Sequence, residues 1–163
     1  MKRIGVTGHR NFRNPDDVSA ITAGVLDRIL DGDDSPTILS SLAEGADRLV
    51  VDLVLARPDA LLDVVLPLPA DMYIADFVTP SSRQRFTDLL GRAASVMVVE
   101  QVPGEARELA YARAGRAIVD AVDVLVALWD GEPARGPGGT AEIVQYAMNR
   151  DVLVEMILVE RAR

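Results

Sequence analysis

Cysteine is absent from the 163-residue chain, and histidine occurs once, at His9. Without cysteine the chain can form neither disulfide bonds nor thiolate metal sites. One histidine is too few to build a metal cluster by itself. We therefore expect no metal, and we assign no cofactor.

Long apolar runs and an excess of positive charge are also absent. No apolar run approaches the length that spans a bilayer, so no membrane partner is expected. The N-terminal residues enter strand-like sequence without the apolar core of a signal peptide, which predicts a cytoplasmic location. Lysine and arginine number 17 against 25 aspartate and glutamate, a net charge of −8. Because surfaces that hold nucleic acid non-specifically are usually basic, this balance predicts that nucleic acid is not a partner.

The length and composition suit one globular domain. Apolar residues make up 49% of the chain and charged residues 26%, which is an ordinary balance for a folded protein. A chain of 163 residues can build one complete core but not two comfortable ones. We expect a single domain over residues 1–163.

Short apolar segments alternate with amphipathic segments along the whole chain. This alternation, with short connections, predicts an α/β fold: a three-layer, Rossmann-like, doubly wound and mostly parallel sheet of about six strands with helices on both faces. The predicted strands are 2–7, 37–40, 61–66, 96–99, 124–128 and 152–159.

Three of the predicted helices carry specific expectations. Asn14 before Pro15 predicts an N-cap. The helix that follows should face the sheet with an apolar stripe (Val18, Ile21, Val25, Leu26 and Ile29). A helix over 105–122 should turn Leu109, Ala112 and Ile118 inward. Tyr73 and Phe77, at helical spacing, are interpreted as packing residues.

Glycine-rich loops follow three of the predicted strands. The first loop contains Gly8, the second Gly45, and the third Gly136, Gly138 and Gly139 before a helix that begins at Thr140. Glycine allows positive φ and lets a ligand approach the main chain closely. The free amides and positive dipole end of the last helix are typical of an anion site. Because ligands of such sheets lie beyond the carboxyl ends of the strands, all three loops should open on one rim.

Arginines are the candidate partners for a bound anion. Arg10, Arg113, Arg116 and Arg135 could line the pocket, with Arg113 and Arg116 one helical turn apart. For these last two, pairing with Glu105, Glu108 or Asp120 is the alternative.

Four other polar residues are candidates with two interpretations each. Ser41 and Glu44 could hold a phosphate or ribose, or Ser41 could cap a helix whose first turn contains Glu44. Asp130 could accept from a ribose hydroxyl or act as a turn residue before glycine. His9 could contact ligand beside Gly8 or lie exposed in its loop.

With these loops in view, nearly the whole chain resembles the SLOG superfamily, the Rossmann-like group named for DNA-processing protein A and the LOG phosphoribohydrolases. GVTG at 5–8 begins the resemblance. SSLAEGAD at 40–47 resembles the S-G-L-A-x-G-I-D loop of DNA-processing protein A, and RAIVD at 116–120 is similar to its R-N-R-I-I segment. PGGT at 137–140 with Glu142 looks like a shortened P-G-G-x-G-T-x-x-E motif, in which the glutamate stands where this chain has Ile143.

The resemblance implies the fold and a nucleotide-type ligand, and with the apolar helices it allows a homodimer. Our first hypothesis is a sensor or carrier that binds a nucleotide or related phosphorylated small molecule at the three loops. The alternative is a LOG-like phosphoribohydrolase, or another hydrolase of N-glycosidic bonds, acting on nucleoside monophosphates with Glu142 as the catalytic carboxylate. An interaction protein in which the glycine loops serve only as turns is the third hypothesis.

Overall fold

The structure is a computed structural model that describes residues 2–32, 35–133 and 136–162. Within these residues there are six strands and six helices, with one helix between successive strands except between β3 and β4, where there are two. The strands are β1 (Arg3–Gly8), β2 (Thr37–Ser40), β3 (Leu61–Leu66), β4 (Ser95–Val98), β5 (Val124–Trp129) and β6 (Leu153–Leu158). The helices are α1 (Pro15–Ile29), α2 (Ala46–Leu55), α3 (Ala70–Tyr73), α4 (Pro80–Gly91), α5 (Arg107–Asp120) and α6 (Thr140–Asn149), with a 3₁₀ turn at Ile74–Asp76.

All six strands form one parallel sheet in the order β4-β3-β2-β1-β5-β6. The predicted fold class is therefore confirmed. The chain progresses outward from β1 to β4 and then returns to the other side of β1 with β5. This reversal makes the boundary between β1 and β5 the topological switch point, where ligands of doubly wound sheets bind.

Helices cover both faces of the sheet. On one face, Leu26 of α1 and Val50 of α2 pack in the core that contains Val126. On the other face, Ile118 of α5 and Ile143 of α6 belong to two smaller clusters. Because β5 is covered on both faces, Val124–Leu128 is buried throughout, as its unbroken apolar run predicts.

Some helix-level predictions are wrong. Ile21 is 56% exposed, because at about 100° per residue it lies roughly a quarter turn from the centre of the buried stripe of α1. Thr22 lies in the buried stripe instead, and its hydroxyl donates to Val18 O at 2.7 Å. Leu109 is also exposed, at 43%. The position predicted for Asn14 is correct, since it is the N-cap residue of α1 with Pro15 next to it, but it has φ 51° and makes no side-chain capping bond.

Candidate functional site

The loops after β1 and β2 are packed directly on each other. The Ala46 amide donates to His9 O at 3.0 Å, and the His9 amide donates to Leu128 O of β5 at 3.1 Å. Gly45 has φ 81°, and a Cβ on it would lie 2.3 Å from Arg10 O. A side chain at position 45 would therefore separate the two loops, so this glycine serves their close approach rather than ligand contact.

Together with the loop before α6, these loops border a cleft of about 520 Å³ at the carboxyl rim of the sheet. The predicted convergence of the three loops is thus present in the structure. The predicted site residues that line the cleft are Gly8, His9, Arg10, Ser41, Gly138, Gly139 and Thr140. Those that do not line it are Glu44, Gly45, Arg113, Arg116, Asp130, Gly136 and Glu142, while Arg135 lies outside the described residues.

The start of α6 supplies backbone amides to the cleft. Gly139 occupies the N-cap position with φ −73°, so of the three glycines predicted for this site Gly136 and Gly138 have positive φ and Gly139 does not. A Cβ on Gly138 would lie 2.7 Å from Glu108 O of α5. The close packing of this loop against α5 therefore requires a residue without a side chain at position 138. Among the described residues no acceptor binds the amides of Gly139 and Thr140. These amides are available to an anion.

The Glu142 carboxylate is held away from the cleft. One oxygen accepts from the Gly138 amide at 2.8 Å, and the other accepts from Arg116 Nη1 at 3.1 Å. This ion pair joins α6 to α5 and uses the cation that could otherwise reach a ligand. Hydrolysis with Glu142 as the catalytic group stays a prediction.

Arg113 forms the intramolecular pair that the sequence allowed. Its two terminal nitrogens donate to the two carboxylate oxygens of Glu105, each at 2.8 Å. These hydrogen bonds raise the pKa of Arg113 and lower the pKa of Glu105. The arginine is therefore a structural partner of its own helix N-terminus and does not line the cleft.

Arg10 is the cleft-lining cation without a carboxylate partner among the described residues. Its guanidinium carbon lies 5.9 Å from the ring centroid of Tyr111, within range of a cation–π contact. The Tyr111 hydroxyl donates to Asp76, which also accepts from Arg107 at 2.9 Å. The aromatic ring is thus anchored, and Arg10 remains free to meet a negative charge.

His9 is buried at 7% exposure, so its interpretation as an exposed loop residue is wrong. Its Nε2 accepts from the Asp130 amide at 3.0 Å, and Arg161 Nε lies 2.8 Å from the Asp130 carboxylate. The Asp130 carboxylate also accepts from the Glu132 amide at 3.0 Å. This hydrogen bond makes Asp130 a turn residue, the second of the two interpretations that the sequence allowed. Burial raises the pKa of Asp130, but the Glu132 amide, His9 and Arg161 outweigh it and leave that pKa below its ordinary value.

Ser41 does not cap α2, since Gly45 stands at the N-cap and no side chain bonds there. Glu44 precedes the helix, so its placement in the first turn is also wrong. Its carboxylate accepts from the Ser82 hydroxyl at 2.9 Å, in a neighbouring groove at the start of α4.

Asp47 is a cleft residue that the sequence interpretation missed. Within the described part of the chain it supplies the cleft's only lining carboxylate. Burial raises its pKa from 3.8 to about 6, although donors from Ser40, Ala43 and Ser41 and the charge of Arg10 oppose that shift. The sequence feature that could have identified Asp47 is its place at the end of the SSLAEGAD segment. A first-turn aspartate, however, does not by itself indicate burial in a cleft.

Tyr73 is a packing residue, as predicted, and it also lines the cleft. It is 2% exposed and forms an edge contact with Phe77, with ring centroids 5.1 Å apart. Burial raises the pKa of its phenol. Among residues 2–32, 35–133 and 136–162, no cluster of three or more potential metal-ligating side chains occurs. Over the same residues, no helix is long and apolar enough to cross a bilayer.

No protein-family model and no curated protein matches the chain. A solved structure is similar, that of DNA processing protein A from Helicobacter pylori, described for its unique mode of binding single-stranded DNA. The TM-score is 0.64 at 13% identity, and the match covers 95% of this chain but only 64% of that one. At this identity the likeness shows the fold, and it supports the resemblance to DNA-processing protein A at that level.

This comparison overturns the prediction that nucleic acid is not a partner. The neighbouring structure belongs to a protein that binds single-stranded DNA, so the fold is compatible with such a ligand. Net charge sums the whole surface, whereas contact with a phosphate depends on the local groups that face it.

Proposed function

We propose that the cleft at the carboxyl rim binds a nucleotide, either free or as a unit of a single strand, and that the chain acts as a SLOG-like sensor or carrier. The observation that carries this proposal is the meeting of anion-binding groups at one cleft. The unused amides of Gly139 and Thr140 and the unpaired guanidinium of Arg10 all border it.

The phosphate is assigned to the start of α6. Amides at a helix N-terminus point their N–H groups and the positive end of the helix dipole at an anion. Arg10 adds a charge-assisted contact, which is worth about 1.5–3 kcal/mol when well formed. The cleft volume of about 520 Å³ lies within the range that holds small-molecule ligands.

The sugar and base are assigned to the remaining walls. Tyr111 presents an aromatic ring beside Arg10, and the buried Tyr73 also lines the cleft. Aromatic rings are sequence-tolerant platforms for bases in single-strand binders. Two sources of the same chemistry, a free nucleotide and a single strand, therefore fit the site.

The test is thermal stabilisation by defined probes. We expect a saturable rise in Tm with at least one ribonucleoside 5′-monophosphate or with an oligothymidylate of ten residues, since a ligand that binds only the folded state stabilises it. Arg10→Ala should abolish the shift. Arg92→Ala is the matched control, because Arg92 is exposed at the end of α4, next to the start of β4 and so at the opposite edge of the sheet.

The length of the probe and the salt dependence of its binding distinguish a single strand from a free nucleotide. If the natural ligand is a strand, the oligothymidylate should bind far more tightly than thymidine 5′-monophosphate, with affinity falling steeply as salt rises. If it is a free nucleotide, the monophosphate should saturate at equal or lower concentration. Release of free base from a bound monophosphate would favour the hydrolase instead. No shift with any of these probes at millimolar concentration would refute the proposal.

A further inference from the structure

We propose that Asp47 recognises a ribose hydroxyl, so that the cleft prefers ribonucleotides over their deoxy counterparts. This inference rests on the proposed function, since it names the class of nucleotide that the same cleft takes. It starts from Asp47, a cleft residue that has no part in the proposed phosphate contacts.

The Asp47 carboxylate is fixed through one oxygen. Ser40 Oγ donates to Oδ2 at 3.0 Å, and the Ser41 amide donates to the same oxygen at 3.2 Å. Ser40 Oγ also accepts from the Leu42 amide at 2.9 Å, so its single proton is directed at Asp47. The carboxylate therefore has one orientation, set by the backbone of the loop after β2.

Acceptor capacity remains on this carboxylate. An ionised carboxylate has about four lone-pair sites. The Ser40 hydroxyl and the amides of Ser41 and Ala43 fill at most three of them. Asp47 is only 7% exposed and lines the cleft, so a ligand donor is the group that can reach the remaining site.

The position along the rim suits the sugar of a nucleotide whose phosphate lies at α6. The loops after β5, β1 and β2 are consecutive along the rim, because these strands are neighbours in the sheet. With neighbouring strands roughly 4.8 Å apart, the end of β2, which the loop to α2 and Asp47 follows, lies about 10 Å from the end of β5. Gly8 lies between them and carries no side chain. Dinucleotide-binding sheets divide the work in the same way, with an acidic residue on the ribose and a helix N-terminus on the phosphate.

A carboxylate is costly to bury at this position. Burial disfavours its charged form and raises its pKa, while the donors from Ser40, Ser41 and Ala43 offset part of that cost. The charges of Arg10, from the β1 loop, and of Arg48, the next residue of α2, act on this carboxylate, and Tyr73 of α3 interacts with it as well. A carboxylate retained between a free cation and a phenol in a cleft wall is suited to accept a hydrogen bond from a ligand.

The experiment compares matched nucleotides on the native chain and on Asp47→Asn by isothermal titration calorimetry at pH 7.5. The probes are the four ribonucleoside 5′-monophosphates, their 2′-deoxy counterparts and 3′-deoxyadenosine 5′-monophosphate. We expect at least one deoxy form to bind the native chain about tenfold more weakly than its ribo form, the loss of one hydrogen bond to a charged group. Asp47→Asn should bring that ratio to within about threefold of unity.

Glu44→Gln is the matched control. Glu44 is a carboxylate three residues before Asp47 that lines the neighbouring groove and not the cleft, so its variant should keep the tenfold ratio. Equal affinity of ribo and deoxy forms in the native chain would overturn the inference and leave nucleotide binding intact. An Asp47→Asn variant that weakens both forms equally would overturn it too. Binding of none of the monophosphates would remove it together with the free-nucleotide form of the proposed function.

Discussion

Replacing Asp47 by asparagine should stabilise the protein at neutral pH. The buried carboxylate has a pKa of about 6 in the folded chain, raised by burial from 3.8, and the unfolded chain should show the ordinary value. At about 1.36 kcal/mol per pKa unit, raising the pKa from 3.8 to about 6 corresponds to roughly 3 kcal/mol. Because the folded state favours the protonated form, the stability that this group contributes is complete below pH 3.8 and is lost as pH rises through about 6.

Asp47→Asn removes this dependence. The variant should exceed the native chain in free energy of unfolding by up to about 3 kcal/mol at pH 7.5, with no excess near pH 3.8. For a chain of this size that is roughly 6–12 °C in Tm. Urea unfolding at several pH values, with unchanged m-values, measures the difference.

Two results would refute this reasoning. If Asp47→Asn were less stable than the native chain at pH 7.5, the carboxylate would be stabilised by its donors more than it is destabilised by burial. If the difference in unfolding free energy were the same at every pH, Asp47 would not be titrating in the window assigned to it. If Asp47→Asn gains stability and loses its discrimination between ribose and deoxyribose, Asp47 shows the trade-off expected of a residue that serves binding at the expense of stability.

Three other variants test the site. Glu142→Gln removes the negative charge that accepts from the Gly138 amide and from Arg116. With less internal competition for these donors, AMP should bind severalfold more tightly in calorimetry. Weaker binding would show that the carboxylate supports the site. Gly45→Ala should lower the free energy of unfolding in urea by roughly 2–5 kcal/mol, because its Cβ would meet Arg10 O at a backbone of φ 81°. Gly104→Ala, at φ 78° but with open space around it, should cost only about 1–2 kcal/mol, and equal losses would contradict the packing argument.

The sheet and its rim were predictable from sequence because they depend on local pattern and general topology. The buried run at Val124–Leu128 and the short connections between elements identify parallel strands with helices on both faces. From there, the carboxyl ends of parallel strands must share one edge, which brings the loops of Gly8 and Gly138 to one cleft. The pairing of Arg113 with Glu105 was also accessible, since both lie close together in the chain.

Which side chain faces the cleft was decided by tertiary contacts between distant parts of the chain. Glu142 is drawn toward Arg116 of another helix, 26 residues away, and His9 is buried by Asp130, 121 residues away. Asp47, in the first turn of α2, lines the cleft because the loop before it packs through Gly45 on the β1 loop. The sequence alone predicted that the glycine loops share one rim and so border one cleft, because the carboxyl ends of parallel strands lie at the same edge of the sheet. Only the folded packing determined that Asp47, and not Glu142, is the carboxylate at its wall, since a side chain's direction depends on partners that no local pattern contains.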